Sequence, residues 1–168
     1  NPGVDRYVEA WQALVDLQRD GVLRSIGVSN FLPDHLDRII GETGVAPAVN
    51  QVELHPYFPQ EEQRAVDAER GILTEAWSPL GRAQEITRDP VLAGIADAHG
   101  RTPAQVVLRW HLQLGTVPLP KAASPGRQQE NLSVFDFELD AGQVAAITGL
   151  GRTDGRLFDA DPATHEEF

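Results

Sequence analysis

The chain has no cysteine, no methionine, and a single lysine, Lys121, among its 14 basic residues. Without cysteine there can be no disulfide and no thiolate metal site, and nothing hints at export. The five histidines (His35, His55, His99, His111 and His165) show no metal-ligand spacing, so no metal is expected. A translated chain begins with methionine, so one that opens on Asn1 is expected to be trimmed, processed or excerpted. Apolar runs fall well short of the ~20 residues that span a bilayer, and the N-terminus carries no signal-peptide pattern. Positive charge is scarce: 14 basic against 25 acidic residues leave a net charge of −11. That balance argues against nucleic acid and against anionic membrane surfaces as partners. The expected location is the cytoplasm, and any phosphate site on such a chain has to be locally basic.

What is present is ordinary globular material, with 41% hydrophobic and 23% charged residues over 168 positions. One domain over 1–168 is expected, with βα units over 1–150 and a Gly/Asp/Glu-rich tail over 151–168 lying on the surface. Apolar residues at helical spacing (Val8, Trp11, Leu14, Val15) predict a helix over 5–19, closed by Asp20-Gly21. Strands are expected over 25–30, 48–54 and 72–77 and around Leu119. A helix runs from Pro33 through Ile40, and a polar one covers 60–70. Further helices open at Asp89-Pro90, at the capping box Thr102-Pro103-Ala104-Gln105, at Ser124 and at Asp140.

Alternation of this kind implies a parallel sheet covered by helices. In the second strand Gln51 and Glu53 share one face, which suits the inner wall of a barrel near its rim rather than a strand buried on both sides. An open doubly wound sheet is the runner-up, but no G-x-G-x-x-G follows a strand. Four strands are visible where a (β/α)₈ barrel needs eight and about 250 residues. The fold class expected is therefore α/β, the second half of a (β/α)₈ TIM barrel with four parallel strands, flanking helices and a C-terminal loop.

Four features fall at the carboxyl ends of the strands, where barrel enzymes place their sites. Ser29-Asn30 can hydrogen-bond an amide, though the pair equally makes a turn. Gln51 both donates and accepts, in a ligand site or in a structural one. Trp77 offers a flat face to a heteroaromatic ring or plugs the rim, and Ser78-Pro79-Leu80-Gly81 is a loop that can approach a pyrophosphate. Lys121 stands beside a helix start with Arg127 in the first turn, a phosphate cradle or a solvated loop lysine. Together they supply the parts needed to hold a phosphorylated nicotinamide dinucleotide. Tyr7 and Tyr57 lack a neighbouring Lys or His that would make either a proton donor, and His55 reads as a loop or rim residue rather than a base.

These motifs, in this order, resemble the C-terminal half of the aldo-keto reductases. The matching stretches are Gly27-Val-Ser-Asn-Phe31, Asn50-Gln-Val-Glu53 with His55-Pro-Tyr57, Ala76-Trp-Ser-Pro-Leu-Gly81, Leu119-Pro-Lys121, and Arg127 through Glu130-Asn131 into Val134-Phe-Asp-Phe137. Trp77 and His99-Gly-Arg-Thr-Pro-Ala-Gln105 are most similar to the bacterial group that includes the 2,5-diketo-gluconic acid reductases. The resemblance implies NADPH as cofactor and a small carbonyl compound as substrate. Ser29, Asn30 and Gln51 would hold the nicotinamide carboxamide, and Trp77 would stack on its ring. Ser78, Leu80 and Gly81 would follow the pyrophosphate; Lys121 and Arg127 would bind the 2′-phosphate, with Glu130 and Asn131 near the adenine. Ala122 stands where the family usually has serine, which removes one hydroxyl donor to that phosphate.

The family's acid machinery, a Tyr, Lys, Asp and His in its N-terminal half, finds no match here, so no catalytic residue is assigned. Asn1-Pro2 resembles the sequence just after that His. The expectation is a chain that carries the cofactor site of a carbonyl-reducing oxidoreductase, is inactive alone, and needs the missing N-terminal half of its barrel to cover bare strand edges. A non-catalytic NADP(H)-binding or redox-sensing barrel module is the alternative.

Overall fold

The computed structural model describes residues 6–81, 83–157 and 161–163. The helix start expected at residue 5, the match at Asn1-Pro2, His165 and the end of the tail lie outside them. Among the described residues eight helices and four strands follow in this order: α1 (Arg6–Arg19), β1 (Val28–Ser29), α2 (Pro33–Thr43), β2 (Val49–Glu53), α3 (Glu61–Glu69), β3 (Leu73–Trp77), α4 (Ala83–Ile86), α5 (Pro90–His99), α6 (Pro103–Gln113), β4 (Val117–Pro118), α7 (Pro125–Leu132) and α8 (Ala141–Thr148). The sheet order is β1-β2-β3-β4, and the β1/β2 and β3/β4 pairs are parallel. The α/β class expected from the sequence is present. The strands at either end of the sheet are shorter than expected, two residues each. The strand expected around Leu119 is displaced to Val117–Pro118, where Pro118 and Pro120 limit ladder donors.

Two compact units divide the chain: residues 1–52, 61–74 and 160–168, and residues 53–60 and 75–159. In the first, Trp11, Val15, Ile26 and Ile39 form the core, with Tyr7, Phe31 and Val45 packed against it. The indole N–H of Trp11 donates to Thr43 Oγ1 (3.2 Å), so a buried donor is satisfied where α2 ends. That end lies one turn beyond the expected Ile40, because Gly44 (φ 71°) makes the left-handed cap. Gly27 has a steric reason: a Cβ there would run into the side chain of Val49 as β1 and β2 pair. The helix expected to be polar, α3, is polar, yet part of it faces inward. Gln63 and Asp67 are buried, because its inward face carries a hydrogen-bonded polar group where an aliphatic side chain would ordinarily sit.

The second unit is built around α6, whose Val106, Val107, Leu108 and Trp110 are buried. Its capping box forms as expected: Thr102 Oγ1 accepts from Gln105 N, and Gln105 Oε1 accepts from Thr102 N. Asp140 caps α8 with a second such box, whereas the Asp89 and Ser124 side chains cap α5 and α7 by accepting backbone N–H groups alone. The described tail is tied down rather than merely draped. Arg152 N donates to the Tyr57 carbonyl (3.0 Å), Leu157 N to Glu53 Oε1 (2.7 Å), and Gly155 is buried where any Cβ would strike the Tyr57 carbonyl.

Candidate functional site

In the first unit, the parallel register sets Ser29 opposite Gln51 and Val28 opposite Asn50. The Gln51 carbonyl accepts from Asn30 N (2.9 Å) and from Ser29 Oγ (3.0 Å), so the three expected carboxamide contacts are brought together. Asn30 has φ 58°, a left-handed conformation that asparagine tolerates better than most residues. The chain then turns into α2 through Phe31, whose N–H donates to Asn50 Oδ1 (3.3 Å) and whose carbonyl accepts from Asn50 Nδ2 (2.9 Å). Asn50 is fully buried and leans in turn on Asp67 Oδ1 (3.2 Å). Gln63 Nε2 reaches the same oxygen (2.8 Å), and Thr74 Oγ1 donates to Asp67 Oδ2 (2.9 Å). Asp67 was not foreseen, since its neighbours in sequence are polar and nothing in its spacing separates it from a solvated face.

In the second unit, the β3/β4 register pairs Ala76 with Pro118, and Leu119 N donates to the Ala76 carbonyl (3.0 Å). The Trp77 loop and the Lys121 loop therefore leave adjacent strand ends. Trp77 is half-buried, whereas the other two tryptophans are at most 1% exposed. Ser78 has φ 49°, outside the range a serine prefers, and Gly81 N closes the turn on the Ser78 carbonyl (2.7 Å). Gly81 is itself left-handed (φ 54°), a conformation that strains a residue with a Cβ, and a Cβ there would lie 2.7 Å from Ile86 Cδ1, which would have to shift. The loop is propped from below by buried His111, whose Nε2 lies 3.2 Å from the Pro79 carbonyl.

Lys121 and Arg127 flank the Ser124-Pro125 start of α7, and both are exposed. Among the described residues neither side chain has a carboxylate or hydrogen-bond partner. Arg19, Arg38, Arg70, Arg101, Arg109 and Arg152, by contrast, each meet an Asp or Glu within 4.0 Å. Glu130 is half-buried, and its Oε1 accepts from Thr102 Oγ1 (2.7 Å), which ties α7 to the cap of α6. Asn131 is half-buried one residue further on.

His55 and Tyr57 gain definite roles, and neither is that of an acid. His55 is in a loop, as expected, but it is completely buried rather than on a rim, with Nε2 3.0 Å from Glu53 Oε1. Glu53 Oε2 and His55 Nδ1 are buried without a hydrogen-bond partner among the described residues. The Tyr57 hydroxyl donates to Asp89 Oδ2 (3.0 Å) beneath the guanidinium of Arg152, 3.8 Å from the ring centre. Burial, followed by the hydrogen bond to Asp89, pushes the Tyr57 phenol above its usual 10.0, which makes it a poorer proton donor. Among the described residues no group of three or more His, Cys, Asp or Glu could hold a metal ion, and no helix is long and apolar enough to cross a membrane.

Residues 1–152 match the aldo/keto reductase family. Over all 168 residues the chain is 56% identical to 2,5-diketo-D-gluconic acid reductase B of Corynebacterium sp. (strain SHS752001), covering 60% of that protein. It is 45% identical over 162 residues to methylglyoxal reductase DkgA of Escherichia coli (strain K12), covering 96% of this chain and 58% of the relative. Among solved structures, a Gox0644 variant in complex with NADPH superposes with a TM-score of 0.91 at 50% identity, over 95% of this chain and 58% of that one. The chain thus spans about three-fifths of the length of the relatives it matches.

Proposed function

The chain belongs to the aldo/keto reductase family, and from that premise we propose that it is the cofactor-holding part of an NADPH-dependent carbonyl reductase. The observation that carries the reading is the pair Lys121 and Arg127, two exposed cations without an acidic partner among the described residues, set about the start of α7. A dianionic phosphate suits such a pair, and a net charge of −11 gives the chain no other reason to collect unpaired cations there. Lys121 and Arg127 would hold the 2′-phosphate, with Glu130 and Asn131 toward the adenine. Ser78, Leu80 and Gly81 would follow the pyrophosphate, Trp77 would stack on the nicotinamide, and Ser29, Asn30 and Gln51 would take its carboxamide.

When bound, the dihydronicotinamide supplies a hydride to the carbon of an aldehyde or ketone. The chain's own residues bind and orient; they do not protonate. Tyr57 spends its hydroxyl on Asp89, and His55 is sealed against Glu53, so the proton for the nascent alkoxide belongs to polypeptide outside this chain. Support for a small, oxidised carbonyl substrate comes from two of its relatives, which are named for a diketo sugar acid and for methylglyoxal.

The test is an assay of the whole reductase of which this chain would be the cofactor-holding part, with NADPH and a panel of small aldehydes and keto acids. Loss of NADPH absorbance that Tyr57→Phe leaves unchanged is the expected result. Saturable NADPH binding with no turnover on any carbonyl would instead support a non-catalytic, redox-sensing module.

A further inference from the structure

We propose that Asn50 is a positioning residue for the nicotinamide end of the cofactor, held in its working orientation by the buried carboxylate of Asp67. The proposal rests on the reading that Ser29, Asn30 and Gln51 meet the carboxamide. Asn50 grips the Phe31 peptide at both ends, accepting from its N–H and donating to its carbonyl. Phe31 follows directly on Asn30, whose left-handed backbone aims the Ser29-Asn30 turn.

A primary amide can rotate by half a turn and exchange its oxygen for its nitrogen, and the flipped form would set acceptor against the Phe31 carbonyl and donor against its N–H. The partner that decides between the two is Asp67. Its Oδ1 accepts from Asn50 Nδ2 at 3.2 Å, so only the orientation with nitrogen inward satisfies both sides. Asp67 cannot easily turn away, because Gln63 and Thr74 hold its two oxygens and the residue is fully buried. A buried polar network that is satisfied at every link gives one geometry rather than several. The relay runs from Asp67 through Asn50 and the Phe31 peptide to the turn that carries Ser29 and Asn30.

A merely structural network would weaken every ligand alike or none. A positioning network weakens only ligands that possess a nicotinamide. The experiment compares NADPH with adenosine 2′,5′-bisphosphate, which keeps the 2′-phosphate and adenine and lacks the nicotinamide, on the intact protein by calorimetry. Asn50→Ala and Asp67→Ala should weaken NADPH about tenfold and leave the bisphosphate within about twofold. Asp67→Asn should bind NADPH like the parent, because its amide oxygen still accepts from Asn50 and its nitrogen can donate to the Thr74 hydroxyl. Should Asp67→Ala fail to fold, Asn50→Ala and Asp67→Asn decide the matter. Equal loss of both ligands, or no loss of NADPH in folded Asn50→Ala, would overturn the proposal. If the parent protein binds the bisphosphate but not NADPH, or binds neither, the cofactor reading fails instead, and the two failures are distinct.

Discussion

The contacts proposed for the two ends of the cofactor, one set in each unit, are built on opposite principles. The proposed amide-binding end, at β1 and β2, is backed by a buried network in which Asn50 and Asp67 have no exposure and Asn50 joins the Phe31 backbone to α3. The phosphate end, at Lys121 and α7, has no buried residue in its helix and presents its cations on exposed side chains. Directional recognition of a planar amide needs fixed donors and acceptors, and only burial fixes them. Recognition of a phosphate needs charge more than angle, and a flexible ammonium delivers that from the surface. Damage to the first end should therefore register as lost stability, and damage to the second as lost selectivity between cofactors.

The largest effect expected is on folding. Asp67→Ala strands the donors of Asn50, Gln63 and Thr74 in the interior and should cost about 3 kcal/mol in a urea melt, whereas Arg127→Ala should stay within ~0.5 kcal/mol of the parent. Comparable losses for the two would abolish the contrast. Next comes Lys121→Ala, which should weaken NADPH by roughly 1–3 kcal/mol while hardly touching NADH, measured as paired dissociation constants. A parallel fall for both cofactors would mean that Lys121 does not read the 2′-phosphate.

A smaller, stabilising effect is expected at Ser78. Its φ of 49° costs a residue with a Cβ, so Ser78→Gly should raise stability by about 1 kcal/mol, offset in part by the added freedom of glycine in the unfolded chain. A destabilised Ser78→Gly would mean that the turn is held by the serine side chain rather than tolerated in spite of it. The smallest effect is an alkaline one. Because the folded-state pKa of Tyr57 lies above its unfolded value of 10.0, the contribution of its neutral form is complete below pH 10 and fades as pH rises through the folded pKa. Tyr57→Phe should therefore flatten the loss of stability above that pH; an unchanged alkaline limb would remove Tyr57 from the account.

Much of this architecture could be read from residue order alone. The capping signals at Asp89, Thr102, Ser124 and Asp140 act locally, through one side chain and a backbone N–H three residues away, so they gave four helix starts correctly. The order Ser29-Asn30, Gln51, Trp77 and Lys121 along successive strands was equally plain, because in parallel units each strand end is a fixed number of elements from the last. What escaped was long-range. Asp67 sits in a helix whose composition says solvent, and only the approach of Asn50 and Thr74 from other elements makes it interior. The burial of His55, expected as a loop or rim residue, escaped for the same reason: it is decided by Glu53 and the loop around it, not by its position before Pro56. The attachment of residues 152–157 to Tyr57 and Glu53 depends on backbone groups that carry no sequence signature.

The most direct check of the cofactor assignment is a fluorescence titration of the intact protein with NADPH and with NADH. Trp77 is the one half-buried tryptophan, so saturable quenching that is tighter for NADPH and disappears in Trp77→Phe is the predicted result. A folded protein whose emission NADPH leaves unchanged, or quenches equally in Trp77→Phe, would contradict it.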